Sequence, residues 1–133
     1  MHYWSVNSGT AKWRWLAPHA FGHDGYRWHV RAWCFENEDY RDFVLGRMEK
    51  VDWPKALEET LPRDAAWHTW EQIIVRPHRS LNANQQRAVA LDYRMRQGKL
   101  KLRVRRAMAD YLRAHLRLPI DGEALNSHFE IVE

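Results

Sequence analysis

Residues 25–51 constrain the fold more than any other part of this sequence. Two runs of alternating side chains, at 26–35 and 40–45, flank the polar stretch at 36–39, and this pattern predicts a β-hairpin. Successive side chains of a strand point to opposite faces of a sheet. One face of the first strand is therefore mostly apolar, whereas the other combines arginine and histidine with aromatic rings.

The mixed face of this strand is unusual both for a core and for a plain surface. It carries His29 and Arg31, and we expect Arg41 of the second strand to meet them across the hairpin. Guanidinium groups match the geometry of phosphate oxygens and stack on planar rings. The face therefore predicts a pocket for a planar anionic ligand. In the alternative interpretation, these cations are surface residues whose stems cover tryptophans.

Shorter signals surround the hairpin. Residues 12–17 alternate in the manner of a strand and are expected to end at Pro18, which cannot donate to a β-ladder. A turn is predicted at 23–25, where Gly25 can take a positive φ, and a short strand is predicted at 2–6. Several short strands joined by tight turns are typical of a small β-barrel.

The second half of the chain predicts a small unit of mixed secondary structure. The expected elements are, in chain order, a strand over 67–76, a helix capped by Ser80 or Asn82, a helix over 103–116 and a strand over 128–132. A set of strands followed by helices and a strand gives an α+β fold class for the whole chain.

Composition excludes several classes of protein. The chain has 133 residues, 45% of them hydrophobic, with eight Trp, which argues against disorder. Its single cysteine, Cys34, allows no intramolecular disulfide and fits a reducing compartment. No apolar run approaches the roughly 18 residues of a membrane span, and the N-terminus has no signal-peptide core. We therefore expect a cytoplasmic protein that does not bind membranes.

Motifs for metal binding and catalysis are missing from the sequence. None of the eight histidines stands in a CxxC or HExxH arrangement, and there is no P-loop, GxSxG or GxGxxG. Cys34 and His29 point to opposite sides of their strand, which argues against a nucleophile–base pair. We expect no catalytic residue, no metal site and no cofactor.

Positive charge is concentrated in residues 76–117. The formal net charge of the chain is +4, and this segment contains only Asp92 and Asp110 as acids. Such a segment favours a polyanionic partner, and weak nucleic-acid contacts are expected from four arginines of the predicted second helix: Arg103, Arg105, Arg106 and Arg113. An arginine-rich helix can equally be a solvated face or pair with an acidic partner.

Several stretches in the correct order resemble a known family. They are WRWLAPHAF at 13–21, RWHVRAWC at 27–34, YRDFVLGRM at 40–48 and a Tyr-x-Ser at 3–5, followed by IIVRPHRSLNANQQRAVALDYRM at 73–95 and VRRAMADYLRAHLRL at 104–118. Together they are similar to WYL-domain transcriptional regulators found beside phage-defence operons, including the C-terminal extension called WCX. Trp28-His29-Val30 stands where most members have Trp-Tyr-Leu.

The resemblance implies an architecture and a ligand site. It implies a small Sm/SH3-like β-barrel over 1–52, a linker over 53–66 and a small α/β WCX-like extension over 67–133. The basic pocket of such a domain senses a nucleotide or oligonucleotide, and the positions of this sequence that match it are Tyr3, Ser5, Arg14, His29, Arg31, Arg41 and Arg47. In the family, DNA is read by a winged helix-turn-helix before the WYL domain, and we expect none within this sequence.

These observations predict a ligand-sensing and dimerisation module of a bacterial transcriptional regulator. A homodimer through the second half is expected because amphipathic segments and eight Trp supply much apolar surface for a small chain. Operator recognition by this chain alone is not expected. The alternative is a stand-alone barrel that binds single-stranded nucleic acid without sequence preference.

Overall fold

Residues 1–5, 9–119 and 127–132 are described by the computed structural model. They build a mixed α+β structure in which strands predominate, as the sequence predicts. The chain divides into two units, Met1–Asp64 and Ala65–Glu133. Each unit has a hydrophobic core of its own.

The described residues of the first unit form six strands in two antiparallel sheets. The strands are β1 (His2–Trp4), β2 (Ala11–Trp13), β3 (Leu16–His23), β4 (Trp28–Cys34), β5 (Asp39–Val44) and β6 (Met48–Lys50). One sheet has the order β2-β1-β6 and the other β3-β4-β5. The two sheets share one core, which is formed by Tyr3, Val30, Ala32, Cys34 and Phe43.

The expected closed barrel is not formed by the described strands. A 3-10 turn at Leu45–Arg47 follows β5, and the next strand, β6, pairs with β1 in the other sheet. The turn takes the chain out of the β3-β4-β5 sheet, so hydrogen bonding does not continue around a ring. The Sm/SH3-like detail remains a prediction.

The central hairpin of the sequence prediction is confirmed as β4 and β5, but one part of its register is wrong. Asp42 lies opposite Arg31, and Arg41 lies opposite Ala32. Arg41 therefore belongs to the face of Ala32 and does not meet His29 and Arg31. A shift of one residue moves a side chain to the other face of the sheet.

The prediction that a strand ends at Pro18 is also wrong. Strand β3 continues through this residue to His23. Proline is tolerated there because β3 is an edge strand and its pairing with β4 shifts register between Pro18 and Ala20. The predicted turn before β4 is present, and Gly25 has a φ of 100°, which a residue with a side chain rarely adopts.

A connector leads from the first unit to the second. We use this name for residues 51–64, which form neither helix nor strand. Residues 51–60 are all exposed, and Asp64 is buried. The first helix of the second unit begins directly after Asp64, at Ala65.

The second unit has a three-stranded antiparallel sheet of order β8-β7-β9. Its elements are α1 (Ala65–His68), β7 (Trp70–Pro77), α2 (Ala83–Asp92), β8 (Leu100–Arg105), a 3-10 turn (Arg106–Met108), α3 (Ala109–His115) and β9 (Phe129–Ile131). The core comprises Ile73, Val75, Ala109, Leu116, Leu118 and Phe129. Within the described part of the chain, no helix is long and apolar enough to cross a membrane.

The two helices predicted in the second unit had different outcomes. Helix α2 is confirmed, and its cap is Asn82, whose side chain accepts from the Gln85 backbone while the Gln85 side chain accepts from the Asn82 backbone. The predicted helix over 103–116 is wrong in its first half. Leu100, Leu102 and Val104 alternate with Lys or Arg, and this period of two forms β8 beside β7.

Candidate ligand-binding site

Strand β4 is buried on both of its faces. Val30 and Ala32 face the core, while His29 and Arg31 on the opposite face are only 2% and 8% exposed. A charged side chain this deeply buried needs an anionic partner, because the loss of hydration is otherwise costly. The position of Arg31 therefore raises the question of what neutralises its guanidinium.

Two carboxylates hold the guanidinium of Arg31. Its Nε donates to Asp64 Oδ2 at 2.7 Å and its Nη2 to Asp64 Oδ1 at 3.0 Å. Its Nη1 donates to Asp42 Oδ1 at 3.3 Å, from the facing strand β5. Paired bonds of this kind are the strongest arrangement between arginine and an oxyanion. The cation predicted to meet a ligand is therefore held by the connector and by β5.

His19 and Tyr40 extend this cluster on the neighbouring strands. His19 Nε2 lies 2.9 Å from Asp64 Oδ2, and its ring packs edge-on against Tyr40 with centroids 5.3 Å apart. The Tyr40 hydroxyl donates to the carbonyl of Pro62 in the connector at 2.6 Å, and its ring contacts Trp33 at 5.1 Å. We call Arg31, His19, Tyr40, Asp42 and Asp64 the Arg31 cluster.

Ionisation of the cluster follows from this geometry. Burial alone would lower the pKa of Arg31, but its hydrogen bonds to Asp64 and the charge of Asp42 outweigh burial and raise that pKa. Burial and the negative charge of Asp64 raise the pKa of Tyr40. Arg31 is therefore fully charged, and Tyr40 is a neutral hydroxyl that donates one hydrogen bond.

His29 lies on the same face as Arg31 but belongs to a second group. Its Nε2 is 2.7 Å from Asp24 Oδ2, and Asp24 also accepts from the backbone N–H groups of Tyr26 and Arg27 and from Arg27 Nε. Burial opposes ionisation of Asp24, yet these donors hold its pKa well below the usual range. Asp24 thus fixes His29 and the turn between β3 and β4.

The other sequence-predicted ligand residues are not brought together with Arg31. Tyr3 lies in the core, where its hydroxyl accepts from the Val44 backbone at 2.9 Å. The backbone of Ser5 bonds in the loop to Thr10 and Gly9. Arg14 lies between β2 and β3, and its side chain reaches Asn37 in the turn after β4. Arg41 lies within strand β5, and Arg47 ends the 3-10 turn.

The side chains of Arg14 and Arg41 each bond to a polar residue outside the Arg31 cluster. Arg14 Nη1 is 3.4 Å from Asn37 Oδ1, while its Nε is buried and makes no hydrogen bond within the described residues. Arg41 is exposed and bonds to Asp39 on its own strand. Neither arrangement resembles the buried paired bonds of Arg31.

The four arginines predicted to contact nucleic acid fall into two pairs. Arg103 and Arg105 lie on strand β8, and both guanidinium groups stack on Trp70, at 4.4 and 4.3 Å. Arg106 and Arg113 both reach the carboxylate of Glu71. The prediction that all four lie on one helix was wrong, since Arg103 and Arg105 are in β8, Arg106 is in the 3-10 turn and Arg113 is in α3.

A cleft of about 390 Å³ lies elsewhere, on the second unit. Its lining includes Arg76, Arg79, Ile131 and Val132. Both arginines donate to the carboxylate of Glu130. None of the residues predicted from the sequence to bind a ligand lines this cleft, so it does not define the candidate site.

Comparisons with known proteins agree with the two units. Residues 1–53 match the family model of the WYL domain, and residues 70–132 match that of the BrxR transcriptional regulator, C-terminal dimerization domain. The chain belongs to the WYL-domain transcriptional regulators.

Two relatives are named DNA-binding transcriptional repressor CapW. The Escherichia coli protein is 39% identical over 116 residues, which cover 87% of this chain and 39% of that relative. The Stenotrophomonas maltophilia protein is 39% identical over 104 residues, or 77% of this chain and 35% of the relative. The chain thus spans less than half the length of these relatives.

Four acidic or histidine residues of the first unit were missed by sequence reasoning as members of the site. They are His19, Asp24, Asp42 and Asp64. One signal was present: an arginine on a central strand requires a carboxylate, and the nearby acids supply the candidates. Asp64 is 33 positions from Arg31, so no local pattern identifies it as the partner.

Replacing Asp24 with Asn should reduce the free energy of unfolding by about 1–3 kcal/mol at neutral pH, the range for hydrogen bonds to a charged group. Because the folded-state pKa of Asp24 lies below its unfolded value of about 3.9, the folded state binds fewer protons. The stabilisation is therefore complete above pH of about 5 and is lost as the pH falls through the folded-state pKa.

Urea denaturation of the wild type and Asp24→Asn over a pH series measures this effect. The gap between the two proteins should narrow in acid, whereas the exposed control Asp92→Asn should stay close to the wild type throughout. A gap that is the same at every pH contradicts the assignment.

Proposed function

We propose that this chain is the ligand-sensing and dimerisation module of a bacterial transcriptional regulator. The ligand is a nucleotide or a short oligonucleotide, and one of its phosphate groups binds at Arg31. The observation that supports this proposal best is the buried guanidinium of Arg31. It lies on β4, the central strand of the β3-β4-β5 sheet, with His19 beside it.

The chemistry of Arg31 favours a role beyond stability. A buried ion pair is seldom more stabilising than well-packed apolar side chains of the same volume, so a guanidinium at this position is a costly way to fill space. Its planar fork suits phosphate. The rings of Tyr40 and Trp33 lie on the neighbouring positions of the same sheet face, where they can pack against a nucleobase.

Dimerisation is assigned to the second unit. Residues 70–132 match a dimerization domain, and the unit exposes several large apolar side chains: Trp70, Leu91, Tyr93 and Ile131. Exposed apolar surface of this kind often marks an interface between copies of a chain. Sedimentation equilibrium should show a homodimer at micromolar concentration, and a monomer at high micromolar concentration contradicts the assignment.

DNA binding is proposed for the complete regulator on the basis of its relatives alone. The relatives are named as DNA-binding transcriptional repressors, and this chain spans 39% of the length of one and 35% of the other. Under the proposal, a winged helix-turn-helix of the complete regulator binds DNA, and the phosphate ligand changes that activity. Control of a phage-defence operon is the biological setting that we propose.

The second candidate is direct binding of single-stranded nucleic acid. The cations of β8 favour it, since Arg103 and Arg105 lie on one face of the strand beside Trp70. Basic and aromatic side chains together bind single strands without sequence preference. Both guanidinium groups already stack on Trp70, however, which leaves less of the indole for a base.

The variant Arg31→Gln tests the leading proposal, with Arg41→Gln as a matched control. Arg31→Gln leaves two carboxylates without their cation, so binding of a short single-stranded oligonucleotide should weaken by about 1–3 kcal/mol. Arg41→Gln removes the same charge from the opposite face of the hairpin and should have little effect. Isothermal titration calorimetry measures both, after circular dichroism has shown that the variants are folded.

Unchanged affinity in a folded Arg31→Gln protein contradicts binding at this site. If that result is accompanied by a steep loss of affinity with salt, it favours the second candidate. Tracking of a nucleic-acid backbone releases many counterions, whereas one or two phosphates in a compact site release few.

A further inference from the structure

We propose that the carboxylate of Asp64 fills the phosphate subsite of the WYL domain, and that a phosphate group of the ligand replaces it and releases the end of the connector. This inference rests on the proposed function, because it assumes a phosphate-bearing ligand at Arg31. It adds His19 to the subsite and assigns Asp64 as an internal competitor of the ligand.

The geometry of Asp64 is that of a bound oxyanion. Both of its oxygens accept from the Arg31 fork, at 2.7 and 3.0 Å, and one of them also lies 2.9 Å from His19 Nε2. Two or three oxygens of a phosphate can meet the same three nitrogens, since arginine binds carboxylate and phosphate through the same pair of parallel bonds. The subsite is therefore built for an anion that does not have to come from Asp64.

Burial makes the two anions mutually exclusive. Arg31 is 8% exposed and Asp64 is 4% exposed, so a ligand cannot reach the inner donors of the guanidinium while Asp64 remains in place. A phosphate at Arg31 must consequently displace the carboxylate. Binding is then an exchange of one oxyanion for another.

The charges of the cluster lead to the same conclusion. Arg31 carries one positive charge and faces the two carboxylates of Asp42 and Asp64. Adding a phosphate to this group would place three anions around one cation. Replacing Asp64 avoids that repulsion, and a phosphate with more than one negative charge interacts with Arg31 more strongly than a carboxylate does.

Because of the position of Asp64 in the chain, its replacement by a phosphate affects the connector. Asp64 is the last residue of the connector and directly precedes Ala65, where α1 of the dimerisation unit begins. Residues 51–60 are exposed, while the buried end of the connector is held by Asp64 and by the bond from Tyr40 to Pro62. Loss of the Asp64 contact therefore loosens the segment through which the ligand-binding unit is joined to the dimerisation unit.

The competing interpretation is that Asp64 only stabilises the fold. Removing one member of a buried ion pair leaves the other uncompensated and destabilises a protein, and this happens whether or not a ligand uses the site. Affinity for a phosphate separates the two interpretations. A purely structural Asp64 gives no gain of affinity when its charge is removed, whereas a competitor does.

The test uses Asp64→Asn with Asp42→Asn as a matched control. Each variant removes one negative charge that contacts the same guanidinium, but Asp64 lies in the connector and Asp42 in strand β5. Asn has nearly the same volume and shape as Asp, so each substitution removes the charge and preserves the packing. Isothermal titration calorimetry measures the binding of inorganic phosphate and of a short single-stranded oligonucleotide of mixed sequence.

We expect Asp64→Asn to bind both probes roughly tenfold more tightly than the wild type, the factor that corresponds to one charge-assisted contact. Asp42→Asn should give a smaller gain, since its removal does not open the subsite. Equal or weaker binding by folded Asp64→Asn overturns the inference and leaves the proposed function standing. Failure of the wild type and both variants to bind either probe overturns the inference and the proposed function together.

Hydrogen exchange of the wild type provides a readout that does not depend on the folding of a variant. Saturating oligonucleotide should speed amide exchange at residues 61 and 63–65, and Asp64→Asn should show that fast exchange without ligand. Exchange at these residues that stays the same or slows in the liganded wild type overturns the inference.

Discussion

The paired hydrogen bonds between Arg31 and Asp64 are the interaction on which the organisation of the first unit depends. They neutralise a guanidinium that lies inside the protein, and they fix the end of the connector against the second face of β4. Without that carboxylate, the same face would present a desolvated cation. Strand β4 can therefore carry an apolar face toward the core and a polar face toward the connector.

Under the proposal, the contact between Arg31 and Asp64 is both the binding site for the phosphate and the anchor of the connector. A sheet that already holds an oxyanion with a planar donor fork and a histidine is prepared for another oxyanion of similar shape. Because the present occupant belongs to the segment that leads into α1, the proposed exchange of anions acts on the link to the dimerisation unit.

Local patterns predicted a good part of this structure. The β4–β5 hairpin was predicted from alternation, and helix α2 from a cap at Ser80 or Asn82, of which Asn82 is the cap in the structure. Residues 103–105 of strand β8 were assigned to a helix because the arginines and apolar residues there fit both periods over a short run. Only the pairing with β7 decides between the two periods.

The site was predicted less completely, for a related physical reason. Sequence reasoning identified Arg31 as a cation that needs an anionic partner, but it took that partner to be a ligand and placed Arg41 beside Arg31, although Arg41 lies on the other face of the hairpin. The actual partner, Asp64, comes from a connector with no periodic pattern, 33 positions away. Contacts between distant segments depend on the whole fold, so no local signal revealed this one.

The carboxylate signal of Asp64 in a carbon-detected NMR titration tests the central claim most directly. The account predicts that a short single-stranded oligonucleotide moves this signal toward that of an exposed aspartate, while the Nε–H of Arg31 remains protected from solvent exchange by its new acceptor. An Asp64 signal that is unchanged when the oligonucleotide saturates the protein would contradict the account.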